Sequence, residues 1–409
     1  MQNRYLSVLV ILFLLSACAP SPNRIGSSGP ESPGPTKIPE SIGRAERTES
    51  IDEMKFTRLT AYNGTICGIK EDGTLVMWGS NVFAGIGNGE IDDGPGGLQV
   101  VRPYTHTFDE KIVDAGSVVS SYALTESGSL YTWGLNHSGE CGTGAAPILR
   151  PQRVEGLGGI KQFSMSTAFS LALDGSGSVY HAGVMMEQFS DARDYEWNYY
   201  SEEAKRHERF TKLPLDFNSV KIDSALCYVF LTDTAEVYMQ GILLGDALEQ
   251  SPDICCPEPV KLDFPERIVD IAALTTNIAA LSESGRVYVF GRPETGLSDA
   301  ETDIKISDLM YQKRLEGVAA IDGSDYCAMA VTADGDGYVW GLDIYGQILK
   351  SNEGKPRAEY EIIPQPVKLD YSDIRQFTMG ILCGSVLDAD GGVFIWGDSS
   401  AGQRIAFIK

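Results

Sequence analysis

One pattern returns seven times between residue 56 and the end of this 409-residue chain, and nothing else in the sequence limits the fold so strongly. Each copy runs from an apolar strand through a small polar turn into a second apolar strand. An acidic-Gly turn follows, then a third strand ending in an aromatic-Gly or similar pair. The clearest copies are 62–81, 120–136, 325–343 and 382–398, with weaker ones at 169–183, 228–241 and 278–291. Their closing glycines are Gly79, Gly134, Gly183, Gly241, Gly291, Gly341 and Gly397, spaced by 55, 49, 58, 50, 50 and 56 residues. A period near fifty with strand-turn-strand content signals propeller blades, because one such unit cannot bury both faces and must stack on its like. Asp72-Gly73, Ser127-Gly128, Ser284-Gly285 and Asp334-Gly335 supply residues that take positive φ cheaply at hairpin turns. Leu75 and Met77 alternate with Thr74, Val76 and Trp78, the period of a strand. The expectation is an all-β, seven-bladed β-propeller over residues 54–409. Residues 54–60 are expected to complete the last blade and tie the ring, and Arg404–Lys409 to be docked.

The ends of the copies also carry a family resemblance. Trp78, Trp133, Trp340 and Trp396 occupy one position, and Asn136, Gly139, Gly142 and Gly144 follow the second of them. Gly346-Gln347 and Gly402-Gln403 echo that loop, and Pro-containing strands follow at 151–154, 257–260 and 364–367. These segments resemble repeats of the regulator of chromosome condensation. The middle copies depart from the pattern at His181-Ala182-Gly183, Met239-Gln240-Gly241 and Phe290-Gly291, so three less regular blades are expected there. The resemblance implies a seven-bladed propeller with protein partners. Members of that family include an exchange factor for a small nuclear GTPase and a secreted β-lactamase inhibitor.

Ahead of the repeats, Arg4 and the α-amine precede an apolar run from Tyr5 to Leu15. That run is too short to span a bilayer comfortably and fits the core of a secretory signal. It ends in Leu15-Ser16-Ala17-Cys18, which looks like a bacterial lipobox. The resemblance implies lipid transfer to the Cys18 thiol and cleavage before it, with two or three acyl chains anchoring the protein stably. Residues 19–53, rich in Pro, Ser, Gly and Glu, read as a flexible, disordered linker. The domain reading is therefore 1–18 signal, 19–53 linker and 54–409 propeller, facing outside the cytoplasm.

The formal net charge of −23 argues against nucleic acid, whose phosphates need a positive surface. The four histidines show no metal-ligand spacing, so neither metal nor cofactor is expected. Cys67, Cys227, Cys327 and Cys383 fall near second strands, where a free thiol packs as a small hydrophobe. Cys255-Cys256 reads either as a vicinal disulfide or as two loop residues. Asp92-Asp93-Gly94 and the Asp334–Gly337 segment read as turns rather than calcium loops, and 85–90 as a blade loop rather than a phosphate cradle. No catalytic constellation stands out. The insertion at 185–214 concentrates Tyr195, Trp197, Tyr199 and Tyr200 among charges, a composition common in binding hot spots and the first guess for a partner surface. The leading reading is a monomeric, non-enzymatic scaffold at the cell surface for an unidentified protein. The alternative is an envelope propeller that binds or processes a carbohydrate or small ligand as a hydrolase or lyase. A deep polar channel with paired carboxylates would favour the second, and a flat aromatic patch around Trp197 the first.

Overall fold

The computed structural model describes residues 54–62, 64–91, 101–144, 146–188, 204–243, 254–291, 310–312, 315–324, 327–343, 348, 361–380 and 383–397. Residues 55–409 form one compact unit. Within it the strands assemble into seven antiparallel sheets, each made from consecutive strands. These are the blades, at 56–105, 112–153, 160–212, 219–262, 268–312, 318–368 and 374–397. Six have four strands, and the seventh has three among the described residues. The described helical content is a single 3-10 turn, Met186–Gln188.

The first strands of the blades are Phe56–Tyr62, Ile112–Ser117, Ile160–Met165, Ser219–Ser224, Ile268–Ala273, Val318–Ser324 and Ile374–Met379. Each packs on the second strand of the blade before it, all the way round, so that blade 1 rests on blade 7. First strands also touch one another across most blade boundaries, while fourth strands lie outermost. The apolar core is accordingly a chain of clusters between blades. Leu75 and Met77 of blade 1 bury against Ile112 and Trp133 of blade 2, and Val229 of blade 4 against Ile271 of blade 5. A third strand such as Leu75–Gly79 is therefore buried along its whole length, since both of its faces meet a neighbour.

Two expectations need correction. Residues 56–62 do not complete the last blade: they pair with Thr65–Lys70 as the innermost strand of the first. The ring closes through side chains of blade 7 reaching that strand. The middle blades also keep the full four strands each, and in blade 4 the missing Trp is compensated across the ladder. In blade 2 Trp133 stands opposite Ser121, and its indole N–H donates to the Gly85 carbonyl in the loop after blade 1 at 2.7 Å. In blade 4 the large ring moves to the facing strand. Tyr228 stands opposite Gln240, and its hydroxyl accepts from the Met186 N–H after blade 3 at 3.1 Å. The docking of Arg404–Lys409 lies outside the described residues.

The Gly that closes a third strand has a geometric cause. At Gly134 the ladder to the fourth strand shifts register and φ is 118°, while a Cβ would lie 2.6 Å from the Ser120 Cα. No side chain fits that approach, so the Trp-Gly pair couples a buried ring to a residue that must lack one.

Candidate functional site

The first strands share a local build that sets the lining of the axis. Each is bulged after its first residue, and its fourth residue is apolar: Leu59, Ala115, Phe163, Ile222, Ile271, Ile321 or Phe377. The third and fifth residues point the other way and are polar in most blades. In blades 1, 3, 4, 6 and 7 one or both reach forward to the next blade.

At the third position Arg58 pairs with Asp114 at 2.9 Å between blades 1 and 2, and Lys221 with Asp270 between blades 4 and 5. Gln162 grips blade 4 with both amide atoms: its NH2 donates to the Ile222 carbonyl at 2.7 Å and its oxygen accepts from the Ile222 N–H at 3.0 Å. Gln376 holds Leu59 of blade 1 the same way, at 2.9 Å in each direction. At the fifth position Asp223 accepts from the Ala273 N–H at 2.8 Å, and Asp322 from the Met379 N–H at 3.1 Å. Thr378 accepts from the Ala61 N–H at 3.3 Å, and Thr60 donates to the Ala115 carbonyl at 3.0 Å.

Burial raises the pKa of Asp114, Asp223 and Asp322, against the pull of their donors and cations. Asp322 is pushed up to about 7, by burial first and then by the carboxylate of Asp223. Arg58 is held above its ordinary value: burial opposes its charge, but Asp114, Tyr122 and Asp322 outweigh it. Asp223 and Asp322 lie on the first strands of blades 4 and 6, and the negative charge of the first acts on the second. Both already accept backbone N–H groups of the following blade. Among the described residues no three His, Cys, Asp or Glu side chains gather as a metal site.

The structure also joins two residues that sequence spacing does not. His181 Nδ1 lies 3.2 Å from His207 Nδ1, and His181 Nε2 lies 3.0 Å from the Val184 carbonyl. A carbonyl only accepts, so Nε2 carries the proton and Nδ1 receives one from His207. Burial holds His181 neutral, with a pKa of about 3. Strand pairing between 179–184 and 206–212 creates this contact, across an insertion that hides it in the sequence.

Cys67, Cys227, Cys327 and Cys383 are buried in second strands, and burial pushes the Cys67 and Cys383 thiols up to about 12. Cys255 and Cys256 lie in the fourth strand of blade 4, opposite Ile242 and Gly241, and are not loop residues. Cys18, Asp92-Asp93-Gly94, Tyr195, Trp197, Tyr199 and Tyr200 lie outside the described residues.

Comparison with known proteins agrees with this architecture. The model of the regulator of chromosome condensation (RCC1) repeat matches residues 127–173, from the hairpin turn of blade 2 into the second strand of blade 3. The human E3 ubiquitin-protein ligase HERC2 is 25% identical over 73% of this chain, which spans 6% of that protein. The Schizosaccharomyces pombe protein pim1 is 23% identical over 89% of the chain, which spans 58% of it. The Arabidopsis thaliana ultraviolet-B receptor UVR8 is 23% identical, with 80% and 74% covered. Among solved structures, Prp20p from Saccharomyces cerevisiae, a protein with binding properties toward Gsp1p and histones, superposes with a TM-score of 0.62 at 17% identity over 87% of this chain and 88% of its own. Human WBSCR16 gives 0.60 at 20% identity over 80% and 89%. The chain is a seven-bladed β-propeller in which residues 127–173 match the regulator-of-chromosome-condensation repeat.

Proposed function

We propose that this chain is a non-enzymatic scaffold for protein binding, exported and held at the bacterial cell surface by lipid on Cys18. The supporting observation is the use made of the axis. Its polar side chains are spent on joining blades at five of the seven boundaries, which makes the ring a rigid frame and leaves recognition to the loops it displays. Prp20p, of the same fold, has proteins as partners, a likeness that carries over only as analogy. The net charge of −23 suits a cationic partner and speeds its encounter. Residues 1–18 act as the signal and 19–53 as a tether, and the Tyr195–Tyr200 insertion offers an aromatic contact surface.

A second reading, a small ligand bound at the axis, is favoured by one observation: burial and the charge of Asp223 raise the pKa of Asp322 to about 7. Two measurements separate these readings. Cys18→Ser should move the protein from the membrane to the soluble fraction and abolish labelling by a palmitate analogue; unchanged fractionation would refute the anchor. Full-length protein offered envelope proteins and glycans should retain a protein. Retention of glycan alone, lost in Asp322→Asn, would favour the axial ligand.

A further inference from the structure

The bulge in each first strand leaves one residue unpaired across the ladder: Thr57, Val113, Lys161, Val220, Val269, Ala319 or Arg375. All but Thr57 are exposed. Val113, Val220 and Val269 are 47%, 55% and 47% exposed, and they are three of the five exposed large apolar side chains among the described residues. Three valines share one repeat position, at which the other blades carry Thr57, Lys161, Ala319 and Arg375. Apolar groups gathered in the open mark a contact surface.

Backbone bonds place this position. In five of the seven first strands the N–H of the first residue donates to the turn glycine of the preceding blade, among them Ile112 to Gly73 at 3.0 Å, Ser219 to Gly177 at 2.9 Å and Val318 to Gly285 at 3.0 Å. The seven bulged residues therefore ring the mouth of the axis on the face that carries the acidic-Gly turns. Lys161 and Arg375 interrupt the ring, leaving an apolar arc of Val220, Val269 and Ala319 on blades 4 to 6, with Val113 across the mouth.

The surroundings of this collar are anionic. A hollow of about 480 Å³ at blades 1 and 2 is lined by Asp72, Asp109, Glu110 and Glu126 with Lys111 and Phe108. Another of about 430 Å³ at blade 7 is lined by Asp370, Asp373, Asp388 and Asp390 with Tyr371 and Phe394. An apolar centre inside a charged rim is the anatomy of a protein interface.

We propose that this mouth is the docking site for a protein segment carrying a large apolar side chain flanked by lysines and arginines. The apolar group seats on the valine arc and the cations enter the acidic hollows. The proposal rests on the scaffold reading and gives it a surface and a partner chemistry.

The test uses the full chain and a triple variant, Val113→Thr, Val220→Thr and Val269→Thr, which keeps shape and β-branching while removing the apolar arc. Synthetic peptides are titrated by calorimetry: one of lysine, arginine and leucine, one with serine for leucine, and one with glutamate for the cations. The expected result is binding of the first peptide, weakened about tenfold in the triple variant and in the serine peptide, and lost at high salt. Equal affinity for wild type and variant, or absence of binding, overturns the proposal. In parallel, both chains are offered envelope proteins. A protein held equally by both overturns the collar and leaves the scaffold standing, whereas no protein held by either overturns both.

Discussion

Single residues here are constrained from two sides at once. Gly134 needs positive φ for the register shift and an empty Cβ position against Ser120. Gly134→Ala should therefore lower stability by roughly 1–3 kcal/mol or more, read as a fall in the thermal midpoint. Gly144, also at positive φ but with open space around it, should lose less on the same change. Asp322 gives a pH signature. Its folded pKa is raised to about 7 from 3.8, so the folded state holds a proton that the unfolded chain has already lost between those values. Its contribution is fully present below about pH 4 and is lost as pH rises towards and through 7. Asp322→Asn keeps an acceptor for Met379 and removes the titration. Denaturant unfolding from pH 5 to 8 should show a flatter profile for the variant and greater stability than wild type at pH 8; parallel profiles would contradict this.

At the scale of the element, the first strand divides its work by parity. Its fourth residue packs, and in five of the seven blades its third, its fifth or both reach the next blade. Gln376 shows how much rests on one side chain, since it satisfies both polar backbone groups of Leu59. Gln376→Leu should strand an N–H and a carbonyl at the seam, at about 1–3 kcal/mol for each group left unsatisfied. Gln376→Glu retains only the acceptor and should fall between. Alternation was legible in the sequence for the third strand at 74–78, not for the first strands. The partners were not legible either, because a blade's third residue bonds a strand some fifty residues away, or 317 residues away at the seam.

Across the whole molecule, every blade has two neighbours, and the seam between blades 7 and 1 uses the same devices as the other joints. A closed ring differs from an open stack: removing a terminal unit exposes two faces rather than one. Deleting residues 374–409 should therefore abolish cooperative unfolding and the native near-ultraviolet circular dichroism, not leave a stable six-bladed remnant. A sharp transition in the truncated chain would contradict closure.

The sequence alone determined the count of seven, the all-β class and the glycine-marked turns, because these follow from local rules repeated at a fixed period. Local rules also put Trp133 and Trp340 at one repeat position and four cysteines near second strands. The tertiary structure alone decided which strand closes the ring, that Tyr228 takes the place of a missing tryptophan in blade 4, and which blade each polar side chain of a first strand bonds. The physical reason is distance along the chain. A repeat states what each blade contains, but neighbours and axis exist only once seven blades have stacked, and contacts between them join residues that no local spacing relates.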